Sequence, residues 1–145
     1  GTLIAFKSGT YYIENVTRGQ WSTEQRYKQQ RQTAELDRQN HGHVATWLEQ
    51  EPGSSGVDAI KSGMRNLAGF EVHADRVTGA KELRWSIMEG PAEAGDIKLV
   101  AGAWNEDWLN EMTSLPNGKY RDQADSTAGA FSKLAVRGGI SSQEY

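Results

Sequence analysis

Residues 43–56, with the sequence HVATWLEQEPGSSG, predict a strand, a sharp break and the start of a helix. Residues 44–51 are rich in β-branched, aromatic and aliphatic side chains, and the breaker cluster of residues 52–56 must end the strand. Apolar residues then recur at helical spacing. They predict a buried stripe made of Val57, Ile60, Met64 and Leu67. A ligand of such a unit sits beyond the carboxyl end of its strand.

Two acids lie at the end of this strand. Glu49 and Glu51 are two residues apart, so we expect both side chains on the same face. Like charges this close repel each other unless a cation or a hydrogen-bond donor offsets them. One interpretation of the pair is therefore a metal-binding role.

A second pair of acids opens the last helix of the chain. Asp122 and Asp125 are three residues apart, which places them on one face of a helix. Phosphodiester hydrolysis with two metal ions needs several converging carboxylates, and this pair is a candidate contributor. Acids in a first helical turn also complement the helix dipole, so a purely structural interpretation stays open.

Strands and helices alternate on both sides of the central strand. Residues 2–6 and 11–16 predict a hairpin, and Ser22 with Gln25 predicts a capped start of a long polar helix that ends near His41. Further strands are predicted at residues 70–74 and 97–100. Helices are predicted at residues 80–89, from residue 105 or 106, and at residues 122–135, where the buried stripe is Ala124, Ala128, Phe131 and Leu134. This order predicts an α/β fold opened by an antiparallel hairpin.

Length and composition narrow the classes of function. The 145 residues suit one domain, which we place at residues 1–136, with a flexible tail at 137–145. The absence of cysteine excludes disulfides, thiolate metal sites and cysteine nucleophiles. No apolar run is long enough for a membrane span, and no phosphate-binding GxxxxGK[ST] string occurs. The spacing of His41, His43 and His73 does not predict zinc, and the first two flank a helix end, where imidazoles bind free carbonyl groups.

Five separated strings carry a family resemblance. They are YYIENVTRGQWS, WLEQEPGSSGVDA, FEVHADRVTGAKELR, AEAGDIKLVAGAWNEDWLNEM and PNGKYRDQADSTAGAF, in this order. Together they resemble the C-terminal nuclease domain of the large terminase subunit of tailed bacteriophages, over residues 11–134. The resemblance implies a ribonuclease H-like fold, with a mixed central sheet, an antiparallel hairpin at the start and helices on both faces. It also implies a metal-dependent endonuclease that cuts concatemeric viral DNA during packaging.

In that family the metal-binding acids come from a first strand, from the end of a later central strand and from the start of the C-terminal helix. The resemblance assigns the central-strand acid to Glu51, because relatives commonly have a glycine five residues later, as Gly56 stands here. Glu49 is the alternative. No strand bearing an aspartate precedes Thr2, so we expect the chain to be a fragment that lacks this acid.

The C-terminal motif departs from the family pattern. Many relatives have a histidine and two aspartates followed by a third three residues later, whereas this chain reads Tyr120, Arg121, Asp122 and then Asp125. The resemblance therefore makes Asp122 the preferred ligand and Asp125 the second choice. In the motif RVTGAK, Ala80 also stands where relatives often have an acid.

The resemblance further implies two Mg²⁺ or Mn²⁺ ions as cofactors, with Glu51, Asp122 and Asp125 as candidate ligands. Candidate contacts to the DNA phosphates are Arg76, Lys81, Lys119 and Arg121. The implied partners are double-stranded DNA, the terminase ATPase domain, the small terminase subunit and the portal protein, in the host cytoplasm and transiently at the procapsid portal. Two alternatives stay open: a catalytically incomplete module that docks on DNA, portal or motor domain, and a recombinase or Holliday-junction nuclease.

Overall fold

The computed structural model describes residues 1–76 and 79–141, with their side chains except those of residues 81, 82 and 136–141. The structure is mixed α/β. Its strands are β1 (Thr2–Lys7), β2 (Thr10–Val16), β3 (Thr46–Gln50), β4 (Val72–Arg76) and β5 (Ile97–Leu99). Its helices are α1 (Thr23–His41), α2 (Ser54–Asn66), α3 (Lys81–Ser86), α4 (Glu89–Glu93), α5 (Asn105–Thr113) and α6 (Asp122–Ser141).

The chain separates into two compact units. The first unit consists of Gly1–Arg18 and Gly79–Tyr145, and the second unit of Gly19–Thr78. Each unit has its own sheet, since β1, β2 and β5 pair in one and β3 and β4 in the other. A single domain across residues 1–136 stays a prediction, because it concerns how the two units fit together.

The hairpin predicted at the start of the chain is confirmed. Strands β1 and β2 pair antiparallel from Lys7 opposite Thr10 to Thr2 opposite Val16. The turn residues Ser8 and Gly9 both have positive φ, 53° and 81°, as a tight two-residue hairpin turn requires. Strand β5 then pairs with β2 in parallel, which makes this three-stranded sheet mixed.

Helix α6 packs against β1 through three of the four residues of the predicted apolar stripe, and the fourth, Leu134, is only partly buried. Ala124, Ala128 and Phe131 are buried in a cluster with Trp85 and Met88. At the start of β1, the hydroxyl oxygens of Thr2 and Ser126 lie 2.9 Å apart. The small side chains on this face of α6 allow the close approach, as expected from the sequence.

The second unit is built on the parallel pair β3 and β4, in which Thr46 lies opposite Val72 and Gln50 opposite Arg76. Helix α2 covers β3 with a buried stripe formed by Gly56, Ile60, Gly63 and Leu67. The predicted stripe is therefore partly wrong, because Val57 and Met64 are 38% and 37% exposed. The helix lies so close to β3 that glycines occupy the contact: a Cβ on Gly63 would be 2.7 Å from Leu48 Cδ1.

Helix α1 begins with the predicted capping box, in which Ser22 and Gln25 exchange side-chain to backbone hydrogen bonds. It is bound to the end of α2, where Arg31 donates to the carbonyl of Asn66 and Asn66 donates to that of Tyr27.

The last helix of the chain extends beyond residue 135, where the sequence predicted its end. Helix α6 continues to Ser141, so the predicted tail is helical as far as that residue, and residues 142–145 lie outside the described part.

None of the helices in residues 1–76 and 79–141 has both the length and the apolar character required to cross a lipid bilayer.

Candidate active-site acids

The backbone around Glu51 is arranged so that a helix starts directly after a strand. Strand β3 ends at Gln50, and Gly53, with a φ of 92°, turns the chain into α2. A Cβ on Gly56 would lie only 1.9 Å from the carbonyl oxygen of Glu51. Because only glycine fits this approach, the first turn of α2 and the backbone of Glu51 form one packed corner.

The carboxylates of Glu49 and Glu51 are both exposed. Glu49 lies on β3 opposite Asp75 of β4, so acids from neighbouring strands share one end of this small sheet. Neither glutamate forms an ion pair or hydrogen bond through its side chain with any residue that the structure describes. Arg76, the predicted DNA contact of this unit, is exposed and lies opposite Gln50.

Asp122 and Asp125 both lie in the first turn of α6, but their surroundings differ. The Asp122 side chain is exposed and has no protein partner among the described residues. The Asp125 carboxylate is 11% exposed, accepts a hydrogen bond of 2.8 Å from the indole nitrogen of Trp85, and lies 3.9 Å from Arg84 Nη2. Of the two candidate ligands, Asp122 is the one with its oxygens available.

Basic residues surround this turn. The guanidinium of Arg121 lies 5.7 Å from the centre of the Trp85 ring. Arg84 Nε and Nη2 are buried and have no hydrogen-bond partner within the described residues. Lys119 is exposed and lies 5.1 Å from the ring of Tyr120. The side chain of Lys81, another predicted DNA contact, lies outside the described residues.

One buried acid beside Asp122 was not foreseen from the sequence. Glu111 of α5 is 7% exposed, and its two carboxylate oxygens lie 3.0 and 3.3 Å from the backbone nitrogen of Gln123. Burial raises the pKa of Glu111, the hydrogen bonds from Gln123 and the charge of Arg18 oppose this rise, and the negative charge of Asp122 adds to it. The contact joins residues twelve positions apart, and no periodicity or motif in the sequence signals it.

The start of β1 is close to the same turn. Thr2 is within hydrogen-bond distance of Ser126 and Thr127. Asp122 therefore lies beside the point at which the chain enters strand β1.

The second unit contains a cluster of two histidines and an acid that the sequence interpretation placed differently. Both oxygens of Glu71 are engaged, with His43 Nε2 and His73 Nε2 each 2.6 Å away. The hydrogen bond with His73 lowers the pKa of Glu71, and the bond with His43 adds to this effect. His43 was expected to bind carbonyl groups at the end of α1, but it binds this carboxylate instead because β4 begins beside it.

The candidate acids thus form two pairs, Glu49 with Glu51 in the second unit and Asp122 with Asp125 in the first unit. Within residues 1–76 and 79–141, no three histidine, aspartate or glutamate side chains form a group that could hold a metal ion. No protein-family model, curated protein or solved structure matches this chain.

Proposed function

We propose that this chain is a metal-dependent DNA endonuclease domain of the terminase large-subunit type, with a ribonuclease H-like fold, that cuts concatemeric viral DNA. The observation that carries the proposal is the order of five family-like motifs along the chain. Two of these motifs bring exposed acids to the ends of regular elements: Glu51 follows β3, and Asp122 opens α6. The same family supplies its metal ligands from such positions.

The chemistry of these residues suits Mg²⁺ or Mn²⁺. Both ions prefer carboxylate oxygens, and Glu49, Glu51 and Asp122 offer exposed carboxylates without a protein cation bound to them in the described residues. Asp125 suits a metal less well, because Trp85 and Arg84 already approach its carboxylate. Bound ions would supply activation of water and stabilisation of the leaving 3′-oxygen.

The family also takes one acid from a first strand, and the test therefore includes a version of the protein extended upstream of Gly1. The start of β1 is close to the turn that carries Asp122, because the Thr2 hydroxyl lies 2.9 Å from that of Ser126.

The test is cleavage of plasmid DNA with Mn²⁺ by this chain and by a version extended upstream. Glu51→Ala and Asp122→Ala are made in the extended version, with Glu106→Ala as an exposed acidic control. We expect the extended protein and the control to cut, and both site variants to lose cutting. Cutting that survives Glu51→Ala and Asp122→Ala would remove the proposed acids from the reaction.

A second candidate function is a catalytically incomplete module that docks on DNA, portal or motor domain. The specific observation in its favour is at the start of α6, where Arg121 replaces one acid of the family motif and Asp125 is engaged by Trp85. This module would bind DNA without any dependence on Mn²⁺, and the extended protein would not cut. A recombinase or junction nuclease would instead prefer a branched substrate over plasmid DNA.

A further inference from the structure

Glu111 is a buried carboxylate to which the proposed reaction gives no role. It lies on α5 and faces the first turn of α6, with its two oxygens 3.0 and 3.3 Å from the backbone nitrogen of Gln123. Burial of an ionisable group is costly unless hydrogen bonds or charges offset it. Here the Gln123 amide and the positive charge of Arg18 offset part of the cost, while the negative charge of Asp122 adds to it, so the pKa of Glu111 stays raised.

The bond from Gln123 fixes the part of α6 that carries Asp122. Amide groups in the first turn of a helix have no acceptor within the helix, and Glu111 supplies one from a different element. The same two helices are joined one turn later, where Trp108 Nε1 donates to Thr127 Oγ1 and Thr127 Oγ1 donates to the carbonyl of Gln123. The backbone at Gln123 is thus held from both sides, and Asp122 is the preceding residue.

We propose that Glu111 is a positioning residue, which orients the Asp122 carboxylate through the backbone of Gln123. This inference rests on the proposed function, in which Asp122 is a metal ligand. Glu111 itself is buried and does not need to touch the ion or the DNA. Groups that orient metal ligands from outside the coordination shell typically change metal affinity or activity by about 10–100-fold when they are replaced.

The test compares three variants of the upstream-extended protein, which serves as the parent, by calorimetric titration with Mn²⁺ and by thermal unfolding. Glu111→Gln keeps the shape and one acceptor oxygen but removes the charge. Glu106→Gln removes the same charge from an exposed position of the same helix and serves as the control. Asp122→Asn removes the proposed ligand.

We expect Glu111→Gln to unfold within a few degrees of the parent protein but to bind Mn²⁺ about 10–100-fold more weakly. The amide of Gln123 should also exchange with solvent faster. Glu106→Gln should change none of these quantities. If Glu111→Gln does not fold, Glu111→Asp keeps the charge on a shorter side chain, and we expect weaker Mn²⁺ binding there too.

The outcomes separate this inference from the proposed function. If Glu111→Gln and Glu111→Asp bind Mn²⁺ as tightly as the parent while Asp122→Asn loses binding, the inference is overturned and the proposed function stands. If the parent protein binds no Mn²⁺, or if Asp122→Asn binds it as the parent does, the proposed function fails and the inference fails with it.

Discussion

The carboxylate of Asp125 is the acceptor of a small network in the first unit. It accepts from the indole of Trp85, a residue that is itself buried among Met88, Ala124 and Phe131. Arg84, whose guanidinium nitrogens Nε and Nη2 are buried, approaches the same carboxylate with Nη2 at 3.9 Å. These contacts give Asp125 a role in the fold whether or not it also binds metal.

We expect Asp125→Ala to lower the free energy of unfolding by about 1–3 kcal/mol, because it leaves the buried donor of Trp85 without an acceptor. Asp122→Ala, at an exposed position in the same helical turn, should change it by less than about 0.5 kcal/mol. Urea unfolding of both variants measures the difference. Equal losses in the two variants would show that the network around Asp125 does not stabilise the fold.

Glu71 provides a prediction about pH. Its pKa is lowered, chiefly by the hydrogen bond with His73, so the folded state favours its ionised form. The resulting stabilisation is present above the ordinary glutamate pKa of about 4.3 and is lost as pH falls through the lowered folded-state value.

The measurement is the unfolding free energy of the parent protein and of Glu71→Gln between about pH 6 and pH 3. We expect the parent to be more stable at the upper end, with the difference shrinking below about pH 4.3, where Glu71 begins to gain its proton in the unfolded state. A difference that stays constant down to pH 3 would mean that the two histidines do not hold the ionised form.

At the scale of elements, the corner between β3 and α2 is the most constrained part of the second unit. Gly56 faces backbone atoms, with Glu51 O at 1.9 Å and Glu51 C at 2.7 Å from the site of a Cβ. Gly63, two turns later on the same helix, faces only the end of the flexible Leu48 side chain. The two glycines therefore form a matched pair for one test.

We expect Gly56→Ala to destabilise the protein by roughly 1–3 kcal/mol, since the backbone of Glu51 must move to admit the methyl group. Gly63→Ala should lower the free energy of unfolding by less, because Leu48 can change rotamer and because alanine stabilises a helix interior by up to about 1 kcal/mol relative to glycine. Chemical denaturation checks both values. A Gly63→Ala variant that is the less stable of the two would contradict the close contact at Glu51.

Local patterns in the sequence were sufficient to predict several elements. The hairpin at the start of the chain, the capping box at Ser22 and most of the buried stripe of α6 each follow from residues a few positions apart. Contacts between distant residues were missed. The bond from Gln123 to Glu111 and that from Trp85 to Asp125 depend on how helices pack, and no local period encodes them.

In helix α2, the sequence predicted the helix but not all of its buried face. Gly56 and Gly63 are buried, whereas their neighbours Val57 and Met64, which the apolar spacing had assigned to the buried face, are exposed. Glycine has no apolar side chain, so a search for hydrophobic periodicity assigns it to the exposed face. The closeness of a neighbouring strand, which decides this point, is not visible in the sequence.

At the scale of the whole molecule, the net charge of −3 gives no general attraction for DNA, so the proposed DNA binding would depend on local basic residues. We expect DNA affinity to fall with salt, and Lys119→Ala to reduce the slope of log K against log salt by about one. Lys98→Ala, an exposed lysine on β5, serves as the control and should leave the slope unchanged. Filter binding across a salt series measures both, and an affinity independent of salt would contradict phosphate contacts.

The central claim is the proposal that the carboxylates of Glu51 and Asp122 bind Mg²⁺ or Mn²⁺. Paramagnetic Mn²⁺ broadens NMR signals only of nuclei near it, so a titration of the labelled, upstream-extended protein tests this claim directly. We predict that the amide signals next to Glu51 and next to Asp122 broaden at low Mn²⁺ concentration, that Glu51→Ala removes the effect next to residue 51, and that Asp122→Ala removes it next to residue 122. Signals next to either acid that stay sharp, or broadening that survives the substitution of that acid, would contradict metal binding by it.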